Sequence, residues 1–294
     1  MVDTIKGMDG RVAESAGGPP CYGGITARRF GFGVGLATRV GKDFPRAMHK
    51  ILSDNEIILS DRQVSDAPTT RFSLVSEANS RRLKLTSKCD QLNADEIREM
   101  KVDCWLVSPV IDEVPQDVLA AIKSDRGKKD FVMLDPQGYI RTVDTGGQVA
   151  LKDRLELDLS GITAIKVDSQ EMAALTGGLS GREGMLALQS RGIRFVVSTE
   201  HRVIHLLYEK MHYWIKMRDI DTPDSTGAGD ILSAAFCCAY LKEKDPLWAI
   251  CFGAGALRAA LETKEFGLAK VPQTVKIEQS ASYFYNTLGF QKLS

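Results

Sequence analysis

Apolar and polar positions come in blocks along this chain, and the period changes from block to block. Short apolar runs at Cys104–Val107, Phe131–Leu134, Ala164–Val167 and Phe195–Ser198 have the length of buried strands. Between them apolar residues recur at helical spacing in Val114–Lys123, in Ser169–Thr176 (closed by Gly177-Gly178) and in Arg182–Arg191. Strand followed by helix, repeated, predicts an α/β fold with a mostly parallel central sheet sandwiched by helices. Val34–Val40 reads as a further strand, after a helix that ends at Phe30 with Gly31 as its cap.

One region breaks the rhythm. Thr70–Val75 and Arg81–Ser87 read as two strands joined by a polar turn, and Leu83 and Leu85 alternate with Arg82 and Lys84. That period of two fits a strand with one wet face, so a small β-flap is expected on the main sheet. There are no internal repeats, low-complexity tracts or linkers, so residues 1–294 read as a single domain.

Charge narrows the partners. Lys plus Arg (38) equals Asp plus Glu (38), so no global field draws nucleic acid or an anionic membrane surface. The most apolar helical stretch, Ile231–Leu241, is shorter than the ~20 residues a bilayer span needs, and the N-terminus lacks an apolar signal core. Cys21, Cys89, Cys104, Cys237, Cys238 and Cys251 form no Cys-x-x-Cys pair and read as reduced thiols of a cytoplasmic protein. His201 and His205 lie four apart on a strand-like run and can share a face; two ordinary strand histidines are the simpler reading.

The stretch richest in chemistry is Asp224-Ser225-Thr226-Gly227-Ala228-Gly229-Asp230, which runs straight into the apolar helix. Small residues let a ligand approach the backbone, and amides at a helix start carry partial positive charge. Together they suit a phosphate whose charge grows during transfer. Asp230, in the first turn, is placed to take a proton from a hydroxyl beside that anion. An ordinary glycine-rich helix entry with a favourable first-turn acid fits the spacing equally well. The loop is neither a Walker A loop nor a dinucleotide turn. Gly31-Phe32-Gly33-Val34-Gly35 follows a helix instead of a strand and is no dinucleotide fingerprint either.

Asp224–Asp230 resembles the C-terminal signature of the ribokinase, or PfkB, carbohydrate kinases, Asp-Thr-Thr-Gly-Ala-Gly-Asp, with Ser225 for the first Thr. The N-terminal signature is similar too: Gly17-Gly18 opens a helix, Ala27-Arg28-Arg29-Phe30-Gly31 closes it, and Val40-Gly41-Lys42-Asp43 follows. Pro68-Thr69-Thr70 resembles the family's lid segment, and Asp168-Ser169-Gln170-Glu171 its Asn-x-x-Glu motif with Asp for Asn. Gly-Gly-Pro-x-x-Tyr at Gly17–Tyr22 and Leu134–Tyr139 resemble an archaeal-type branch that includes inositol and nucleoside kinases.

The resemblance implies a ribokinase-like fold whose lid strands lie at about 11–16 and 70–87, with Gly17-Gly18 as hinge. It implies transfer of the ATP γ-phosphate to a sugar, polyol or nucleoside hydroxyl, with Asp230 as base and Gly227, Ala228 and Gly229 as anion hole. It places Asp3, Gly17, Gly18, Tyr22 and Asp230 on the acceptor. It places Ser198, Glu200, Thr226, Gly227, Gly229, Ala254 and Leu257 on the nucleotide, and Asp168 and Glu171 on Mg²⁺. Lid-to-lid homodimers occur in the family. Val2–Ile5 looks like the end of the family's N-terminal Gly-x-x-x-x-Asp type segment, with the buried strand before it missing, and the expectation is that this chain starts late. Thr199-Glu200-His201-Arg202 stands where members carry a glycine-rich turn near the nucleotide, so the donor stays open between ATP and another phosphate carrier. A catalytically silent binder of the same fold is the alternative. A dehydrogenase is a remoter one.

Overall fold

The computed structural model describes residues 1–6, 10, 12–77, 80–124 and 131–293. In chain order its first elements are β1 (Val2–Lys6), β2 (Val12–Ala16), α1 (Pro19–Arg29), β3 (Val40–Gly41), α2 (Arg46–Asp54), β4 (Val64–Ser65), β5 (Arg71–Glu77) and β6 (Ser80–Ser87). Next come α3 (Ala94–Arg98), β7 (Cys104–Val107), α4 (Gln116–Ser124), β8 (Phe131–Leu134), α5 (Gln137–Ile140), β9 (Arg141–Val143), β10 (Val149–Leu151) and β11 (Ala164–Asp168). The chain continues with α6 (Ser169–Thr176), α7 (Gly181–Ser190), β12 (Phe195–Glu200), β13 (Val203–Tyr208) and β14 (Met211–Lys216). It closes with α8 (Ala228–Glu243), α9 (Pro246–Glu262), α10 (Thr274–Thr287) and β15 (Gly289–Lys292).

The central sheet has the order β15-β14-β13-β12-β11-β8-β7. Strands β7, β8, β11 and β12 pair parallel, and β13, β14 and β15 add on antiparallel. The apolar runs lack in-out polarity because both faces are covered. Phe131, Met133, Phe195 and Val197 face the core with α1, α8, α9 and α10. Val132, Leu134, Val196 and Val167 face the core with α4, α6 and α7. An aromatic group of Phe131, Phe195, Phe236 and Tyr240, with ring centroids 5.0 to 6.5 Å apart, fixes α8 on the sheet. Each such ring removed from water contributes about 1.5–3 kcal/mol, so the position of the α8 N-terminus is strongly determined.

The β-flap is a second sheet with the order β2-β1-β5-β6. Its inner face carries Ile5, Phe72 and Leu74 onto Val110 and Ile111. The strands expected at about 11–16 and 70–87 are β2, β5 and β6; Arg11, Ala78 and Asn79 lie outside the described residues. Val2–Ile5 forms an inner strand of the flap, paired antiparallel with β2 and parallel with β5. The expected strand Val34–Val40 does not form. Only Val40-Gly41 pairs, with Val64-Ser65, and residues 33–39 belong to no strand. β7 ends the central sheet there, and a cavity of about 630 Å³ lined by Val34, Leu36, Cys104, Leu106 and Cys237 adjoins it. Val34 and Leu36 line this cavity across from Cys104 and Leu106 of β7, and residues 33–39 do not pair with that edge. Among the described residues no helix is long and apolar enough to cross a membrane.

Candidate active site

The ends of parallel strands, where side chains leave the sheet, collect the polar residues of this molecule. Asp135 follows β8, Lys166 lies within β11 and Asp168 ends it, and Ser198 and Glu200 lie in the second half of β12. The N-terminus of α8 points at the same place. Gly227 caps it with φ +73°, a left-handed conformation natural to glycine. A Cβ on Gly227 would lie 2.2 Å from the Tyr22 ring, so the loop rests directly on that ring. Asp224 shapes the turn by accepting the Thr226 amide on Oδ1 at 2.8 Å. The Ala228 amide leans on Ser225 O at 3.3 Å, a long contact that a bound anion would compete with.

Asp230 is buried in the first turn, and its carboxyl is pushed up to about 8. Burial is the largest cause; Asp135 and Asp3 add to it, while Lys166 and Arg141 oppose it. Lys166 is the counter-charge. Its Nζ lies 3.1 Å from Asp135 Oδ2 and 3.7 Å from Glu171 Oε2. Burial works against the ammonium, but Asp135 and Glu171 outweigh it and hold the proton more firmly than on an ordinary lysine. A Cβ on Gly229 would sit 3.3 Å from that Nζ, so the ammonium is adjacent to the glycine loop. Glu171 is itself raised, chiefly by burial and in spite of Lys166.

Asp3 joins from the flap. A Cβ on Gly17 would lie 1.9 Å from Asp3 Oδ2, so glycine there is what lets the carboxylate approach α1. Gly18, with φ +77°, then turns the chain into that helix. Tyr22 is wholly buried, and its Oη finds no hydrogen-bond partner among the described residues.

Asp168 and Glu171 form a capping box: Asp168 Oδ1 accepts the amides of Gln170 and Glu171, and Glu171 Oε2 accepts that of Asp168. The second oxygen of each carboxylate remains available to a hydrated cation. That donor set fits Mg²⁺, which keeps several waters and takes one or two carboxylates beside substrate phosphates. Among the described residues no three His, Cys, Asp or Glu side chains converge as a metal cage. His205 pairs with His212 across β13 and β14 at 3.0 Å, instead of with His201.

No family model matches the chain. A cytidine kinase of Thermococcus kodakarensis is 23% identical over 275 residues, spanning 90% of this chain and 94% of that protein. A pyrophosphate-dependent kinase in the ribokinase family, complexed with a pyrophosphate analog and myo-inositol, superposes with a TM-score of 0.78 at 21% identity, over 95% of this chain and 96% of its own. A fructokinase double mutant from Vibrio cholerae, in a form with fructose, ADP and potassium ion bound, gives a TM-score of 0.75 at 18% identity, over 95% of each chain. This is the ribokinase fold. The resemblance first carried by two short signatures extends over nearly the whole chain.

Within the ribokinase fold, Asp3, Gly17, Gly18, Tyr22, Gly227–Asp230, Asp168 and Glu171 gather around the α8 N-terminus and the strand ends. One nucleotide-side expectation changes. Ala254 is fully buried in the helical core, because α9 packs its small face on α8 and α10, so no base reaches it. Leu257 is only partly buried against that core. Asp135, Lys166 and Arg141 were not among the expected site residues. The signal was a charged residue inside the buried run Ala164–Val167, and an acid directly after the fully buried strand Phe131–Leu134.

The support beneath the loop gives a first test. Gly227→Ala forces both a positive φ on alanine and a clash with Tyr22, and is expected to destabilise the fold by about 1–3 kcal/mol. Urea denaturation measures it; an unchanged midpoint would show that the loop does not rest on the ring.

Proposed function

We propose that the protein is a kinase that transfers the terminal phosphoryl group of ATP to a hydroxyl of a sugar, polyol or nucleoside. The observation that carries this reading is Asp230: a carboxyl buried in the first turn of a helix whose glycine-rich start adjoins the Lys166 ammonium, and pushed by that burial up to about 8. A base that ionises near the working pH is suited to take a proton in the transition state. The attacking hydroxyl lies against Asp230 and Asp3 and passes its proton to Asp230. Its oxygen forms the bond to phosphorus as the bond to the leaving phosphate breaks. The amides of Gly227, Ala228 and Gly229, with Lys166 beside them, meet the developing charge. Asp168 and Glu171 would hold Mg²⁺, which would supply positive charge to the donor phosphates. Ser198, Glu200, Thr226 and Leu257 take the rest of the donor. The unpaired Tyr22 Oη offers the acceptor a further hydrogen bond.

A second donor is favoured by one stretch of chain. Loop 199–202 contains no glycine, and His201 occupies a positive φ of 50° at its tip. A stiffer, bulkier loop suits a short donor, and the similar kinase named above is pyrophosphate-dependent. The deciding experiment offers Mg-ATP and Mg-pyrophosphate in parallel with sugars, inositols and nucleosides, and follows acceptor phosphorylation. Phosphorylation with either donor, dependent on one acceptor class, is expected. Tight acceptor binding with no product from any pair would overturn the kinase reading in favour of a silent binder.

A further inference from the structure

Lys270 is the residue whose placement the transfer step leaves unexplained. Its side chain is 0% exposed, and an ammonium so buried persists only if it is paired. It lies in the 3₁₀ turn Gly267–Lys270 after α9, far in sequence from the glycine loop. Its Nζ donates to Asp224 Oδ2 at 2.7 Å and to the Asp224 carbonyl oxygen at 3.1 Å. The same carboxylate accepts the Gly267 amide at 2.9 Å and, on its other oxygen, the Thr226 amide at 2.8 Å. Asp224 is thus held between the loop it opens and the turn that carries Lys270.

The ammonium reaches the loop by a second route. It stands 5.4 Å from the centroid of the Tyr22 ring on which Gly227 rests. The turn also bears on the flap, since a Cβ on Gly267 would lie 2.3 Å from Ser15 Oγ in β2. Burial alone would raise the Asp224 carboxyl; Lys270, Thr226 and Gly267 reverse this and leave it below the ordinary value. A buried ion pair is a weak way to gain stability, because apolar residues of the same size serve as well. What it supplies is a fixed geometry.

We propose that Lys270 is a built-in cation that holds the Asp224–Gly229 loop in its anion-binding shape, a positioning residue for phosphoryl transfer whose charge comes from the chain instead of from a dissolved ion. This rests on the kinase reading above. The side chain touches neither reacting atom; it acts through Asp224 and Tyr22.

The test compares the wild type with Lys270→Ala, Lys270→Arg and the double variant Asp224→Asn/Lys270→Met, in which no charge is left unpaired. In Lys270→Ala, kcat is expected to fall about 100-fold, the scale of losing one aligned anion-hole donor, with acceptor KM within about threefold. Calorimetric affinity for inorganic pyrophosphate falls with it. Millimolar ammonium or methylammonium, filling the vacated space, raises kcat of Lys270→Ala about tenfold or more and leaves the wild type unchanged. Lys270→Arg keeps more activity than Lys270→Ala. A folded Lys270→Ala with wild-type kcat and pyrophosphate affinity would overturn the proposal, as would a loss that ammonium does not touch. If the single variants fail to fold, the double variant decides: native fold with low kcat supports positioning, and wild-type kcat refutes it. A wild type inactive toward every acceptor sinks the kinase reading alone, because the pyrophosphate titrations still judge Lys270.

Discussion

Asp230→Asn is expected to lower kcat/KM at least ~100-fold, the scale of a lost general base, and to make the protein more stable above neutral pH. Both effects follow from one environment. Burial, Asp135 and Asp3 favour the protonated carboxyl, while Lys166 and Arg141 limit the rise to about 8. Activity needs the ionised form, so wild-type kcat/KM climbs roughly tenfold per pH unit below about 8 and flattens above it. The variant loses that limb. For stability the sign is opposite. Between the ordinary value of 3.8 and about 8 the folded chain keeps a proton that the unfolded chain releases. Stability therefore falls as pH rises through this window, by an amount on the order of a few kcal/mol, and the deficit persists above it. Asparagine carries no such penalty, so the variant's melting temperature gains on the wild type from pH 5 to pH 9. Melting curves and pH–rate profiles check both halves. An equal pH dependence of melting for the two proteins would remove Asp230 from the buried, proton-holding role.

The strand–helix rhythm was legible because buried parallel strands are apolar on both faces, and helix ends carried their own punctuation. Gly31 after α1 and Gly177 after α6 both take the left-handed conformation that ends a helix. The glycine loop stood out locally, but its spacing alone fits an ordinary glycine-rich helix entry as well as an anion site, and only the match of Asp224–Asp230 to a family signature favoured the second. What stayed hidden depended on neighbours in space. Val34–Val40 has strand composition, yet residues 33–39 leave the β7 edge unpaired across a cavity, and periodicity does not report whether a stretch reaches its neighbour. Val2–Ile5 became an inner strand of the flap through partners at residues 12–16 and 71–75. Lys270 and Asp224 are 46 positions apart, and nothing in the local pattern around either announces a buried pair. Lys166 was more accessible to inference, since a charge inside an otherwise apolar strand must find a partner where the strand ends.

Lys166→Met is expected to have the largest effect on the fold, about 3–5 kcal/mol near neutral pH, because it strips the counter-charge from a buried acidic cluster. Lys166 stands 3.1 Å from Asp135 and 3.7 Å from Glu171, and it also restrains the rise of Asp230. Without it Glu171 and Asp230 shift further toward the protonated form. Their penalty then grows with pH, as each unfolded carboxyl ionises while its folded counterpart does not. Near pH 5 Glu171 and Asp230 are already protonated in the folded wild type, so their share of the loss is smaller there. The same displacement moves the acid limb of kcat/KM to higher pH, whereas loss of a merely space-filling side chain would leave the limb where it was. Urea denaturation at pH 5 and pH 8, with the pH–rate profile of the variant, reads both. A destabilisation equal at the two pH values together with an unmoved limb would show that Lys166 fills space beside the loop instead of setting the charge of Asp230.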